Sequence, residues 1–298
     1  MHRNHFKGLI SLALIVIVIG SYVIVAQSPV TGTWTANAEK GSPEKIHISF
    51  TRDSRGNERN RQGVTIPYSE IDGLTRSQAD SGSASFRIVR EAGTIECQGS
   101  FENGKGSGNY RFTPNTAYVE AMRSRGFDFD KFTSKGNGTV EDRLFAAATI
   151  NVTTALADDL LAANFGPLDV DDLFKAAIFK VDSKFMAEMK ATGFPNLSME
   201  DLVKARIFKI DANYVREIKD MGFGVQSFEN LVKYSIFKVT PEFLNELRAE
   251  GLTDLDPEQV VKLRIFKIDA AYVRQARAEN PNITVEQLVQ KKIGVWSR

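Results

Sequence analysis

Ile178-Phe179-Lys180-Val181-Asp182, Ile207-Phe208-Lys209-Ile210-Asp211, Ile236-Phe237-Lys238-Val239-Thr240 and Ile265-Phe266-Lys267-Ile268-Asp269 follow one another at a spacing of 29 residues. A fixed period of this kind marks an architecture built from one repeated supersecondary unit. One period earlier Thr153 follows Ile150-Asn151-Val152. Earlier still, Thr113-Pro114 opens a related segment, enlarged by an insertion at 128–138.

Each period carries two helix starts. Thr153, Asp182, Asp211, Thr240 and Asp269 supply the first, because a side-chain oxygen there accepts the free N–H groups of a first helical turn. Apolar residues follow on one stripe, as in Tyr214, Val215 and Ile218, or Phe243, Leu244 and Leu247. Asn164, Gly193, Gly222, Gly251 and Asn280 then stand where a helix ends, and both types tolerate the left-handed conformation. Asp169, Ser198, Ser227, Asp256 and Thr284 open the second helix. Asp172, Asp201, Asn230, Gln259 and Gln287 three residues on complete a capping-box pattern in full or near form. A helix of about ten residues is marginal alone, so the units must stack. The pattern predicts about six two-helix repeats over 113–298, forming a solenoid or a compact helical array. Phe179, Phe208, Phe237 and Phe266 are expected to be buried between stacked units. Lys180, Lys209, Lys238 and Lys267 are expected to face water as a ladder.

Upstream the period changes to two. Gly32-Thr33-Trp34-Thr35-Ala36, Ile46-His47-Ile48-Ser49-Phe50 and Ala84-Ser85-Phe86-Arg87-Ile88-Val89 alternate apolar and polar residues. The runs 93–101 and 106–112 do the same across Asn103-Gly104-Lys105, a hairpin signal. Residues 52–62 are charged and carry a glycine, and read as a long exposed loop. The fold class is therefore α+β, with a β-rich antiparallel domain over 27–112 and a helical repeat domain over 113–298.

Residues 1–26 form a leader. Arg3 and Lys7 precede a nearly unbroken apolar run over 9–26, and Ala26 suits a cleavage site. The run also has about the length that spans a bilayer, so a signal peptide and an N-terminal membrane anchor both stand. Either places the remainder outside the cytoplasm, in the periplasm, secreted, or tethered through residues 9–26.

Composition narrows the chemistry. Lys and Arg total 38 against 37 for Asp and Glu, so bulk charge offers no case for nucleic acid. A single cysteine, Cys97, excludes an internal disulfide and a cysteine-based zinc cluster. His2 and His5 lie in the leader, which leaves His47 alone and removes any two-histidine metal site. His47 alternates with Ile46 and Ile48 and so points to the opposite face. No G-x-S-x-G motif accompanies it. Asp169, Asp171 and Asp172 read as helix caps, and Asp128 and Asp130 lack the remainder of a calcium loop. Asn137, Asn151, Asn196 and Asn282 match glycosylation sequons that coincide with loops and caps. No cofactor, metal or catalytic residue is assigned.

Two resemblances add expectations. The unit Val239-Thr240-Pro241-Glu242-Phe243-Leu244-Asn245-Glu246-Leu247-Arg248-Ala249-Glu250-Gly251 resembles short helical repeats of bacterial extracytoplasmic proteins, including tails of BlaR/MecR-like membrane metallopeptidases. The peptidase part has no counterpart here, so the resemblance implies an extracytoplasmic repeat module and carries no catalytic residue. Gly32-Thr33-Trp34 resembles the opening of a lipocalin-type barrel, which implies a small-molecule or lipid carrier. The leading expectation is a non-enzymatic binding or scaffold protein. Its partner is a protein or an anionic envelope component, met by the ladder Lys180, Lys209, Lys238 and Lys267. An envelope hydrolase is the third reading.

Overall fold

The computed structural model describes residues 29–38, 41–52, 60–131, 139–164, 166–223 and 227–294. The leader, Asn137 and the end of the chain near Trp296 lie outside the described residues.

Six strands form one antiparallel sheet: β1 (Val30–Ala38), β2 (Lys45–Arg52), β3 (Asn60–Pro67), β4 (Gly82–Arg90), β5 (Gly93–Glu102) and β6 (Lys105–Pro114). Their order is β3-β2-β1-β6-β5-β4, two three-stranded meanders joined where β1 pairs with β6. The edges β3 and β4 do not pair with each other, so the sheet is open among the described residues. The β5–β6 hairpin turns through Asn103 (φ 51°) and Gly104 (φ 73°). Positive φ at both positions matches the right-handed twist of the flanking strands.

β3 departs from the sequence expectation, which left 52–62 as loop. β2 continues to Arg52, and β3 starts at Asn60. Arg61, Gln62 and Gly63 mask the alternation, and only Val64 and Ile66 mark an apolar face. Backbone pairing to β2, from Arg52↔Asn60 to Lys45↔Pro67, holds this edge strand in place.

Twelve helices follow among the described residues. They form six pairs: α1 (Thr116–Arg123) with α2 (Val140–Ile150), α3 (Thr154–Ala162) with α4 (Val170–Phe179), and α5 (Ser183–Lys190) with α6 (Met199–Ile207). The next are α7 (Ala212–Asp220) with α8 (Phe228–Ile236), α9 (Pro241–Ala249) with α10 (Pro257–Ile265), and α11 (Ala270–Glu279) with α12 (Val285–Lys292). The two-helix repeat and the α+β class stand as the sequence indicates. Every cap named above binds its helix, as Asp211 accepts from the Tyr214 N–H and Ser198 from the Asp201 N–H. At the start of the array, Thr113 and Pro114 still belong to β6, and Asn115 caps α1 instead.

Even-numbered helices stack on one another from α2 to α12, and odd-numbered helices touch their own kind, as α3 does α5 and α9 does α11. Successive units are pegged at both helix ends. Lys219 Nζ donates to the Thr192 carbonyl at 2.7 Å, and Arg248 and Arg277 reach the Met221 and Glu250 carbonyls. On the other layer Arg206 Nη2 donates to Lys180 O at 2.6 Å, Ser235 Oγ to Phe208 O at 2.5 Å, and Arg264 Nε to Phe237 O at 3.3 Å. Helix C-termini leave carbonyls without internal partners, and here the next repeat supplies the donors. Gly193 shows why the turn residue is small: its φ is +90°, and a Cβ there would lie 3.0 Å from Lys219 Nζ.

Sheet and array share one core. α2 crosses the apolar face of the sheet, touching β1, β3, β5 and β6. Phe145 stacks on Tyr110 with centroids 5.0 Å apart, and meets Phe50 at 5.6 Å and Phe112 at 5.3 Å. Trp34 contacts Phe86 and Phe101 further along the same face. The change near residue 112 is one of secondary structure, not of core.

The aromatic positions of the repeat are not the deepest ones. Phe237 is 38% exposed, and Phe179, Phe208 and Phe266 are only partly buried. The residue two places on takes the interior site: Val181, Ile210, Val239 and Ile268 are at most 1% exposed. The cause is a left-handed residue between them. Lys180, Lys209, Lys238 and Lys267 have φ of 58°, 54°, 55° and 52°. Each turns the chain so that the next N–H bonds five residues back, as Ile210 does to Ala205 O at 2.8 Å and Val239 to Tyr234 O at 2.7 Å. This is the Schellman closure, with its apolar residue tucked under the helix end.

Candidate functional site

The left-handed turns decide what the array shows to solvent. They send Val or Ile inward and leave the preceding Ile-Phe-Lys at the rim. Ile178 (54% exposed), Ile207 (52%), Ile236 (48%) and Ile265 (48%) form one series at equivalent places, and Ile293 (50%) takes the place of the phenylalanine in the last unit, directly before the left-handed Gly294. Because Arg206, Ser235 and Arg264 bond to the unit before them, adjacent rim segments lie side by side. The result is a row of isoleucines beside a row of lysines.

Lys180, Lys209, Lys238 and Lys267 are all exposed, and none makes an ion pair among the described residues. Other lysines of the same helices behave differently. Lys175 pairs with Glu200 at 2.6 Å, Lys262 with Glu286 at 2.6 Å, and Lys204 with Glu229. Asp182, Asp211 and Asp269 stand two residues past three of the ladder lysines, each with its carboxylate on the N–H of a helix start. Glycine or asparagine suits a left-handed turn better than lysine, and Asn151 (φ 59°) fills the equivalent place in α2. Lysine there does complement the negative end of each helix. That accounts for the charge but not for the isoleucines.

A groove of about 360 Å3 lies between two rungs, lined by Phe237, Lys238, Arg264, Lys267 and Asp269. It brings three cationic side chains and one carboxylate around an aromatic wall.

The sheet offers a different surface. Its outer face is polar, with a shallow depression of about 580 Å3 lined by Thr31, Thr33, Glu96, Gln98, Asn109 and Arg111. His47 lies on this side as expected. Its Nδ1 contacts Thr65 Oγ1 at 3.1 Å, and its Nε2 contacts Ser49 Oγ at 3.2 Å. The Ser49 contact escapes motif reading, although the i,i+2 spacing puts both residues on one face of a strand. A serine beside a histidine can act as a nucleophile when a carboxylate orients the ring. Here the orienting atom is a threonine hydroxyl.

The remaining sequence candidates have structural partners. Cys97 is buried, and burial pushes its thiol pKa well up, which keeps it protonated. Asp169 and Asp172 form a capping box, and burial raises Asp172. Asp128 and Asp130 both pair with Arg123. Asn196 and Asn282 are exposed. No group of three or more metal-binding side chains occurs among the described residues, and no helix among them is long and apolar enough to cross a membrane. α2 and α3 are apolar in succession, but the chain bends by 83° between them and α2 packs on the sheet. No protein-family model matches this chain, and neither a curated protein nor a solved structure matches it.

Proposed function

We propose that the chain is a non-enzymatic, extracytoplasmic binding or scaffold protein that offers the rim of its helical array to an envelope partner. One observation carries this reading: four exposed isoleucines, and four lysines that make no ion pair among the described residues, recur at equivalent positions on one rim. Single exposed apolar residues are ordinary on any protein. A row of them, kept through successive repeats and set beside cations, has the composition of a contact surface. The apolar run at 9–26 and the likeness to bacterial envelope repeats support a place outside the cytoplasm. The carrier alternative draws less support, because α2 and its aromatic contacts fill the apolar face of an open sheet. The hydrolase alternative rests on Ser49 and His47, whose ring is held by Thr65 and not by a carboxylate.

The test compares the full chain with a variant carrying Lys180→Asn, Lys209→Asn, Lys238→Asn and Lys267→Asn. Asparagine tolerates the same backbone conformation, so the fold should persist. Cross-linking in envelope extract should retain a component with the natural chain and lose it with the variant, at matched circular dichroism. Equal recovery by both would refute the rim as the binding surface.

A further inference from the structure

Building on that reading of the rim, we infer that its partner is the surface of a bilayer containing anionic phospholipid. The isoleucines would enter the boundary between headgroups and acyl chains, and the lysines would meet the phosphates.

The composition of the rim points there. Ile178, Ile207, Ile236 and Ile265 are each about half exposed, and each is followed two residues on by an exposed lysine. Half-exposed aliphatic side chains flanked by lysines are what an interfacial surface needs. The apolar groups supply shallow burial, and the cations attract anionic lipid. The long lysine stem suits this place, since it can lie along apolar surface while its ammonium stays with the headgroups. Asp182, Asp211 and Asp269 are the acidic groups nearest in sequence to Lys180, Lys209 and Lys267, and Glu242, in the first turn of α9, is nearest to Lys238. Each aspartate is held on a helix N-terminus, where the positive end of the helix offsets it.

The groove between rungs adds a place for a headgroup. Lys238, Lys267 and Arg264 border it, Phe237 forms a wall, and Asp269 is its one carboxylate. Its volume of about 360 Å3 fits a compact anionic group, and the exposed Ile236 and Ile265 each adjoin a lining residue, Phe237 and Arg264, in the chain. A second copy of this chain is a poorer occupant, because a two-fold contact sets the lysines of one rim against either the lysines or the isoleucines of the other, and neither neutralises them. An acidic protein would have to match both rows rung by rung, whereas a bilayer surface offers phosphates and acyl chains at every point along them. The chain also carries an apolar run at 9–26, directly before the first strand, which keeps the array near a bilayer if it is retained.

The experiment uses the full chain with Ile236→Cys labelled by an environment-sensitive fluorophore. Cys97 is buried, so the label goes to the rim. The protein is reconstituted with vesicles of phosphatidylcholine alone, or with roughly a third phosphatidylglycerol. Whatever residues 9–26 contribute is the same in both lipids and in the lysine variant, so the comparison cancels it. The emission should shift to the blue only in the anionic vesicles. The shift should be lost when the four ladder lysines become asparagine, or at high salt. A label at Lys184→Cys, on an exposed position of α5, should not shift. Equal emission in both lipids, or a shift that survives loss of the lysines, overturns the proposal. If the lipid response is absent while the lysine variant still loses its partner in envelope extract, the membrane assignment falls and the binding rim stands. If neither assay responds to the variant, both readings fall.

Discussion

Phe145→Ala tests whether sheet and array are one cooperative unit. The Phe145 ring is 3% exposed and lies within 5.0–5.6 Å of the ring centroids of Tyr110, Phe50 and Phe112. Truncating a buried phenylalanine costs about 3–5 kcal/mol through lost burial and the cavity left behind. Aromatic pairs add about 0.5–1.5 kcal/mol each, but three pairs sharing one ring are not additive. A net loss of about 4 kcal/mol is a large part of the roughly 5–15 kcal/mol that holds a domain together. At a urea slope of about 3 kcal/mol per M, the midpoint moves by more than about 1 M. Trp34 reports the sheet, because it is 1% exposed and its indole N–H donates to Gln98 O at 3.2 Å. Trp296→Phe in the background leaves Trp34 as the one tryptophan, excited selectively at the red edge of the absorption band. Far-ultraviolet circular dichroism at the helical band follows the array. Fluorescence and the larger part of the helical signal should shift together. A Trp34 transition that stays put while the helices weaken, or the reverse, would refute the shared core.

Three further outcomes follow from burial and caps. Leu244→Ala, at a fully buried site, should cost about 3–5 kcal/mol in chemical denaturation, whereas Phe237→Ala at the rim should cost clearly less; equal losses would contradict the Schellman turn at Lys238. Asp211→Ala removes the cap accepted from the Tyr214 N–H and should lower stability by about 1 kcal/mol, read by thermal melting. Burial lifts the Tyr214 hydroxyl pKa from its ordinary value near 10 to about 12, and its hydroxyl donates to Val239 O at 3.1 Å. The folded state therefore holds that proton more tightly than the unfolded state. The stabilisation is complete below pH 10 and is lost as pH rises toward 12. Tyr214→Phe should flatten part of this alkaline loss in a denaturation series, and an unchanged slope would show that the hydroxyl is not buried as described.

The period, the caps and the helix count were legible in the chain because their causes are local. A side-chain oxygen meets an N–H three residues ahead, and an apolar stripe repeats every three or four positions. The hairpin at Asn103-Gly104 was legible for the same reason. β3 was not, because an edge strand with one charged end is held by the backbone of β2 and not by its own pattern. The place of each rim residue depended on one dihedral angle. Phe237 and Val239 are equally apolar to a reader of the sequence, and the left-handed Lys238 between them turns one outward and the other inward. Asn151 at the matching place held the clue, since asparagine favours that conformation. Only the stacked structure could bring Ile178, Ile207, Ile236 and Ile265 onto a single rim, or seat Phe145 against the sheet. Those contacts join residues far apart in the chain, and packing alone selects them.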